Sequence, residues 1–311
     1  MKFAKVIRSL FILIAVLFLI AYVVGYILIG SNNDNLLETI EYNPGQLIDG
    51  AAKDTQGPEQ SLEQEHNGNY PEIQAEAAIT VDADSGEILF SKSKNKKMFP
   101  ASLTKLMTAL ILAEEMDKQD VLIYSQKAKE QEANKLDFPE GSAITAENAI
   151  QGMLVFSAND FAYMIGENIS GSSDKFAKLM NKKAIQLGLK NTHFVNACGL
   201  HDDNHYTTAY DLSLLAKEIY KNKWIMNITG MESAHIKTTD GKGMIVYNTN
   251  TLLGKTGCIG GKTGYTSQAG KCLVAYYKKD NRVIIGIVLN APDDTVLSDN
   301  MRKIVDWSFK K

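Results

Sequence analysis

A run of 21 residues without a charged side chain lies near the amino terminus, from Leu10 to Gly30. A helix of that length spans roughly 31 Å, which matches the hydrocarbon core of a membrane. Three basic residues and no acidic residue precede the run, so the positive-inside rule places residues 1–9 in the cytoplasm. We therefore predict an uncleaved transmembrane anchor over residues 10–30, with the rest of the chain outside the cytoplasm.

The alternative interpretation of this segment is a cleaved secretory signal. The apolar region of such a signal is usually about 7–15 residues long and is followed by an A-x-A-like cleavage site. This run is longer, and it ends at Ile29-Gly30-Ser31 without such a site. The sequence therefore favours the anchor, while secretion after signal cleavage stays open as the alternative.

The chain that follows the predicted anchor has two parts that differ in net charge. Residues 31–70 carry eight acidic residues against one lysine and have no sustained apolar period, which predicts a flexible acidic stalk. Residues 71–311 have a net charge of only +1, so they provide no basic surface for binding nucleic acid. We interpret residues 71–311 as one globular domain.

The apolar pattern of residues 71–311 predicts a mixed α/β fold. Short apolar runs around turn residues indicate a β-hairpin near each end of this segment, and helical periodicity dominates between them. The predicted strands are 78–82 and 87–90 at one end and 272–277 and 283–289 at the other, with a closing helix over 295–309. We therefore expect a single antiparallel sheet that joins both ends of the domain and is flanked by helices.

Candidate catalytic residues begin with the segment that follows Pro100, a residue that favours the first turn of a helix. Ser102 and Lys105 are three positions apart, so the amine can reach the hydroxyl from the same face of that helix. A lysine in apolar surroundings is shifted toward its neutral form, as a general base requires. The S-x-x-K pattern alone has little specificity, because it recurs at four other places: Ser91/Lys94, Ser93/Lys96, Ser172/Lys175 and Ser308/Lys311.

Two further motifs follow in order and make the signal specific. Ser157-Ala158-Asn159 is an S-x-N motif, and Lys262-Thr263-Gly264 is a K-T-G motif. Ser298-Asp299-Asn300 also fits the second pattern, but it comes after the third and lies at the predicted start of a surface helix. Lys255-Thr256-Gly257 repeats the third pattern without a strand directly after it. We choose Lys262 because the apolar strand 272–277 follows it closely, and we expect Lys255 to be solvated.

Together these motifs resemble those of D-alanyl-D-alanine carboxypeptidases, the low-molecular-mass penicillin-binding proteins. The resemblance runs from about Glu76 to the carboxyl terminus. It rests on residues 100–105, 157–160, 204–209 and 262–266, which read PASLTK, SAND, NHYTTA and KTGYT. It implies a β-lactamase/transpeptidase-like fold, a bacterial cell-membrane location with the domain outside the cytoplasm, and no cofactor or metal.

The resemblance also implies a role for each motif residue. Ser102 would form the acyl-enzyme with Lys105 as its base, while Ser157 and Asn159 would complete the proton relay and hold the substrate amide. Lys262 and Thr263 would bind the terminal carboxylate of a stem peptide that ends in D-Ala-D-Ala. Gly264 and Tyr265 would complete the substrate-binding segment, and the backbone N–H groups of Ser102 and Tyr265 would form the oxyanion hole. β-Lactams would be covalent inhibitors.

Other functions fit the sequence less well. A class A β-lactamase needs a Glu-x-x-Leu-Asn-type loop, but Gly286 precedes the single Leu-Asn dipeptide at the glutamate position, so a β-lactamase is the less favoured alternative. A phosphate-binding loop ending at Lys262-Thr263 would need glycine where Thr256 stands. The remaining alternative is a membrane-tethered penicillin-binding sensor or scaffold that is acylated without turnover.

Histidine and cysteine chemistry is also disfavoured. His201 and His205 have the spacing of a metal pair, but Asp202 stands where zinc peptidases have glutamate, so we predict a structural turn. The three cysteines are Cys198, Cys258 and Cys272. Cys272 lies in an apolar strand and is predicted to belong to the core.

Overall fold

Strands from the two ends of the domain form one antiparallel sheet. The structure is a computed structural model, and it describes residues 70–311. The predicted anchor over residues 10–30 and nearly all of the predicted stalk lie outside this range. Within it, no helix is both long enough and apolar enough to cross a membrane.

The described residues contain one large sheet and two small ones. The strands are β1 Ala77–Asp82, β2 Ile88–Lys92, β3 Val121–Ile123, β4 Ala143–Thr145, β5 Ser233–Lys237, β6 Gly243–Tyr247, β7 Cys258–Thr266, β8 Gly270–Lys279 and β9 Arg282–Ala291. The large sheet has the order β2-β1-β9-β8-β7, while β3 pairs with β4 and β5 pairs with β6. Because β1 pairs with β9, the sheet joins the two ends of the domain, as the sequence predicts.

Helices fill most of the chain between the two halves of this sheet. They are α1 Lys105–Glu115, α2 Gln126–Lys129, α3 Ala146–Val155, α4 Asn159–Ser170, α5 Ser173–Gln186, α6 Ala209–Lys221, α7 Lys223–Thr229 and α8 Asp294–Ser308. Many of them begin at a side-chain oxygen that accepts a hydrogen bond from a free N–H group of the first turn. These capping residues are Ser125, Thr145, Ser172, Thr208, Asn222 and Asp293.

The large sheet is buried on both faces. Along β8, Cys272, Val274 and Tyr276 pack with the main group of helices, whereas Leu273 and Tyr277 pack on the other face with α8. This alternation follows from the two-residue period of a strand. The fold is therefore a helix–sheet–helix arrangement, and the predicted mixed α/β class with an antiparallel sheet is confirmed, as is the core position of Cys272.

Strand β7 lies at one edge of the sheet, and its bounds show that one prediction is wrong. We expected Lys262 to precede a strand, but it lies inside β7, where it pairs with Val274 of β8. The glycines at 260, 261 and 264 weaken the strand signal in the sequence, because glycine has low strand propensity. Pairing with the strongly apolar β8 overrides that local preference.

Candidate active site

The segment around Ser102 differs from the helix turn that the sequence predicts. Residues Ala101–Thr104 form a 3-10 helix, and α1 begins only at Lys105. Ala101 has a φ of +48°, outside the right-handed helical region, so the chain bends sharply as it enters this turn. In a 3-10 helix the side chains at positions i and i+3 lie one above the other, so the S-x-x-K spacing still brings Ser102 and Lys105 together.

Lys105 lies at the centre of the hydrogen-bonded group. Its side chain is fully buried, and its Nζ is 2.8 Å from Ser102 Oγ, 2.6 Å from Asn159 Oδ1 and 2.7 Å from the backbone oxygen of Cys198. Burial lowers the pKa of Lys105 to about 8. A neutral amine has two protons and one lone pair, so it can donate to Asn159 and Cys198 and accept the proton of Ser102.

The two polar residues of the S-x-N motif contact different lysines. Asn159 is the first residue of α4 and contacts Lys105, as given above. Ser157 has a φ of +68°, which turns the chain sharply before α4, and its Oγ accepts a hydrogen bond of 2.9 Å from Lys262 Nζ. The motif therefore links the lysine beside the nucleophile to the lysine of the K-T-G motif.

Lys262 is buried inside the wall of the site. It is 1% exposed, and its Nζ also donates to the backbone oxygen of Thr263 at 2.8 Å. Burial, together with the charge of nearby Lys105, lowers the pKa of Lys262 well below its ordinary value. Thr263 points into the cleft instead, where its Oγ1 lies 2.6 Å from Thr249 Oγ1. Thr249 was not predicted from the sequence, because it precedes the K-T-G motif in a segment without a recognisable pattern.

The edge strand passes very close to the nucleophile at Gly264. A Cβ atom on Gly264 would lie 3.1 Å from Ser102 N and 3.0 Å from Pro100 O, so only glycine leaves this approach unhindered. The next residue, Tyr265, is 60% exposed and lines the cleft. Lys271 Nζ lies 4.7 Å from the centre of the Tyr265 ring.

A loop that the sequence analysis did not single out completes the surroundings of Lys105. Asn196 Oδ1 accepts hydrogen bonds from the backbone N–H groups of Cys198, Gly199 and Leu200, which shapes a tight turn. A Cβ on Gly199 would lie 1.8 Å from Ala101 O, and its φ is +85°. The Asn-x-x-Gly spacing is the sequence signal that could have identified this turn.

These elements border a cleft of about 710 Å³. The residues that line it come from every part of the site: Ser102, Ser157, Asn159, Thr249, Thr263 and Tyr265, together with Glu132 and Asn134 beside Asn159. Lys105 and Lys262 lie behind this wall and reach the cleft through Ser102 and Ser157. The arrangement presents a serine hydroxyl with a buried base to a ligand in the cleft, which suits acyl transfer.

The other matches to the three motifs have structural roles or exposed positions instead of the contacts described above. Ser172 caps α5, and Ser308 Oγ is bonded to Thr80 Oγ1 and Ile304 O. Lys255 is exposed in the turns before β7, as predicted. Asn300 was expected on the surface at the start of a helix, but it is 3% exposed within α8, because it accepts hydrogen bonds from the chain at residues 74 and 75.

The histidine and cysteine side chains have structural surroundings. His205 is buried, its Nδ1 accepts from Val195 N, and its Nε2 faces Thr104 Oγ1 at 2.8 Å. Both ring nitrogens are thus occupied, which agrees with the predicted structural turn. All three cysteines are buried free thiols, and burial raises the pKa of Cys198 to about 11 and of Cys272 to about 12.

Comparison with known proteins gives a family match over most of the chain. Residues 63–293 match the family model described as D-alanyl-D-alanine carboxypeptidase. The chain is similar to D-alanyl-D-alanine carboxypeptidase DacF of Bacillus subtilis, with 35% identity over 76% of this chain and 63% of the relative. It is also similar to DacB2 of Mycobacterium tuberculosis, with 30% identity over 77% of this chain and 84% of that protein.

Solved structures show the same fold. The D-alanyl-D-alanine carboxypeptidase DacD of Francisella tularensis aligns with a TM-score of 0.75 and 27% identity, over 79% of this chain and 72% of that one. A mutant of Streptomyces K15 DD-transpeptidase aligns with a TM-score of 0.73 and 25% identity, over 78% of this chain and 100% of that one. The chain spans only 63% of the length of several curated relatives, including those of B. subtilis and Haemophilus influenzae.

Proposed function

Because this chain belongs to the D-alanyl-D-alanine carboxypeptidase family, we propose that it is a serine-type D-Ala-D-Ala carboxypeptidase that trims peptidoglycan stem peptides. The observation that carries the proposal is the 2.8 Å contact between Lys105 Nζ and Ser102 Oγ. A buried amine whose pKa is lowered to about 8 keeps a minor neutral fraction near physiological pH, and that neutral form can act as a base.

In the acylation step, Lys105 Nζ takes the proton of Ser102 as Oγ bonds to the carbonyl carbon between the two D-alanines. The negative charge passes to the carbonyl oxygen, which the N–H groups of Ser102 and Tyr265 stabilise. The C–N bond then breaks, and the leaving amine takes the proton from Lys105. D-Alanine departs and an ester remains on Ser102. The close approach of β7 at Gly264 supports this placement of the two N–H groups.

The terminal carboxylate of the substrate binds at the other end of the cleft. Thr263 and Thr249 present hydroxyl groups there, and Ser157 presents a hydroxyl that is bonded to Lys262. Lys262 therefore acts on the carboxylate mainly through its hydrogen bond to Ser157. This refines the direct pairing that the family resemblance implies. Recognition of a free carboxylate is what restricts the reaction to the last residue of a peptide.

Water completes the cycle by attacking the ester carbon of acyl-Ser102. Its oxygen forms the new carboxylic acid, and the serine oxygen regains a proton. A β-lactam acylates the same hydroxyl and acts as a covalent inhibitor. We further propose that residues 10–30 attach the enzyme to the bacterial cell membrane, with residues 31–70 as a spacer and the catalytic domain outside the cytoplasm. The uncharged run and the acidic segment support that placement.

The test combines covalent labelling with turnover. Purified chain 31–311 is expected to be soluble, to bind a fluorescent penicillin and to carry the adduct on Ser102, as mass spectrometry would show. It should also release D-alanine steadily from a peptide ending in D-Ala-D-Ala, and Ser102→Ala should do neither. A single burst of D-alanine would instead indicate a sensor or scaffold, and an adduct on Ser91, Ser93 or Ser172 would contradict the assignment of the nucleophile.

A further inference from the structure

One residue beyond the S-x-N motif, Asp160 is a fully buried carboxylate. Its Oδ2 accepts hydrogen bonds from Tyr124 Oη at 2.9 Å and from the backbone N–H groups of Leu136 and Asp137 at 2.8 and 3.0 Å. Its Oδ1 accepts from the N–H group of Phe161 at 2.9 Å. Burial raises the pKa of Asp160, while the four donors around its two oxygens oppose that rise and favour the charged form.

The backbone that Asp160 holds also holds the side chain of Asn159. Residues 132–137 form one short segment, which we call the clamp segment. Its end is bonded to Asp160, while its beginning provides the oxygens of Glu132 and Ala133, which accept from Asn159 Nδ2 at 3.1 and 2.9 Å. In addition, the N–H group of Asn159 donates to Asn134 O at 2.6 Å.

These two carbonyl oxygens determine which way the Asn159 amide faces. A side-chain amide has a donor end and an acceptor end of nearly equal size, and its orientation follows from its hydrogen-bond partners. With Nδ2 held by the clamp segment, Oδ1 must face Lys105 Nζ, which lies 2.6 Å away. Lys105 then donates to this oxygen and keeps its lone pair for Ser102.

We propose that Asp160 is a positioning residue for acyl transfer: by holding the clamp segment, it fixes the orientation of Asn159 and thereby of Lys105. This inference rests on the proposed function of Ser102 and Lys105. Asp160 itself does not line the cleft, so it acts through Asn159 and not on the substrate.

A double-mutant cycle tests whether Asp160 acts through Asn159. Asp160→Asn keeps the shape of the side chain but removes its charge and one acceptor. It should lower the second-order rate constant of penicillin acylation by about 10- to 100-fold, since small misplacements of a base are costly. In the Asn159→Ala background the same change should cost less than about 2-fold, because the amide that Asp160 orients is already gone.

Asp174→Asn is the matched control. Asp174 is the second residue of α5, as Asp160 is of α4, but it is exposed. It should leave acylation unchanged. An equal loss from Asp160→Asn in both backgrounds, or no loss in the parent, would overturn the proposal. If Asp160→Asn does not fold, Tyr124→Phe, which removes one donor to the carboxylate, runs the same cycle with a smaller expected loss of about 2- to 5-fold.

The pH profile shows whether the change at Asp160 reaches Lys105, which a loss of stability alone would not do. The charged or titratable groups that influence Lys105 are Asp160 on α4, Cys198 in its loop and Lys262 on β7. The negative charge of Asp160 raises the pKa of Lys105, so its removal should lower that pKa. The rise of the acylation rate with pH should then move to lower pH in Asp160→Asn. Loss of stability alone would leave the profile of the folded enzyme in place.

A third measurement needs no activity. The amide protons of Leu136 and Asp137 should exchange with solvent faster in Asp160→Asn than in the parent or in Asp174→Asn. Unchanged exchange rates at these two amides would contradict the proposal that Asp160 holds the clamp segment. If the parent is acylated but releases no D-alanine, the proposed carboxypeptidase function fails while the cycle still tests positioning. If it is not acylated at all, the nucleophile assignment fails and amide exchange alone tests the clamp.

Discussion

At the residue scale, the site depends on two lysines that are buried within one connected group. Lys105 and Lys262 are both less than 2% exposed, and removal from water lowers the pKa of each. Each ammonium or amine is nevertheless well bonded, Lys105 to three oxygens and Lys262 to two. Burial of this kind is costly unless the polar group finds partners. Three of these five partners are side chains of the motif residues Ser102, Ser157 and Asn159, and the other two are the backbone oxygens of Cys198 and Thr263.

The two K-T-G copies give a direct prediction at this scale. Lys262→Ala should remove about 2–4 kcal/mol of transition-state stabilisation, on the order of 30- to 1000-fold in kcat/KM, because Ser157 loses the buried donor that holds its hydroxyl. Lys255→Ala should stay within about 0.5 kcal/mol of the parent, since its side chain is exposed. Release of D-alanine, normalised to the fraction of enzyme that penicillin labels, measures both effects.

Thermal unfolding provides the control for this pair. Both variants should retain a cooperative transition close to that of the parent, so that the difference in kcat/KM reports on the site. If Lys255→Ala lowers kcat/KM more than Lys262→Ala does, the wrong K-T-G copy has been assigned to the cleft. The strand that borders the cleft would then be wrongly assigned as well.

At the element scale, the site forms where three backbone segments approach one another closely. The 3-10 helix at 101–104, strand β7 and the turn at 196–200 meet around Ser102 and Lys105. Glycine occurs at two of the closest approaches, Gly264 and Gly199. The positive φ of Gly199 adds a second reason for glycine at that position.

Gly199→Ala tests this close packing. The added methyl group would lie 1.8 Å from Ala101 O, so the turn or the 3-10 helix must move. We expect penicillin acylation to fall by on the order of 100-fold or more, because Cys198 O and Ser102 shift relative to Lys105. Stopped-flow labelling and thermal unfolding measure the two consequences.

Gly188→Ala is the matched control for this prediction. Gly188 has a similar φ of +74°, but a Cβ there would meet no atom within 4 Å. It should therefore show only the conformational cost of a left-handed alanine, about 1 kcal/mol of stability, with normal acylation. If Gly199→Ala is acylated within about 2-fold of the parent rate, the close approach of residue 199 to Ala101 does not require glycine.

At the scale of the whole molecule, contacts between the beginning and the end of the domain close the fold. Strand β1 pairs with β9, and Asn300 of α8 accepts hydrogen bonds from Gln74 N at 2.9 Å and Ala75 N at 2.8 Å. Asp294, Leu297 and Ser298 at the start of α8 line the cleft, but Asn300 and the chain at residues 74 and 75 do not. Stability and catalysis should therefore respond separately to changes there.

Asn300→Ala tests that separation. It leaves the backbone N–H groups of Gln74 and Ala75 without their acceptor. An unsatisfied buried donor costs about 1–3 kcal/mol of stability. We expect the free energy of unfolding to fall by about 2–4 kcal/mol in denaturant titrations, with acylation of the folded enzyme unchanged. Asp299→Ala, at an exposed neighbouring position, should change stability by about 0.5 kcal/mol or less.

The sequence by itself determined the class of fold, the order of the three motifs and the identity of the nucleophile candidate. These features are local or periodic: strand and helix periods, a closing helix whose ends agree within one residue, and short motifs at characteristic spacings. The choice of Lys262 over Lys255 was also within reach, because the strand that follows the second copy is strongly apolar. The predicted anchor and stalk also rest on the sequence, since they lie outside the described residues.

Tertiary structure alone decided how the motif residues pair. No spacing indicates that Asn159 contacts Lys105 while Ser157 contacts Lys262, because those contacts join segments far apart in the chain. The left-handed backbone conformations at Ala101 and Ser157 could not be predicted either, since alanine and serine do not favour a positive φ locally. Packing of the surrounding segments stabilises these conformations, and a single sequence records that packing only indirectly. The chemistry of the site could therefore be predicted from local residues, whereas its geometry depends on contacts between distant ones.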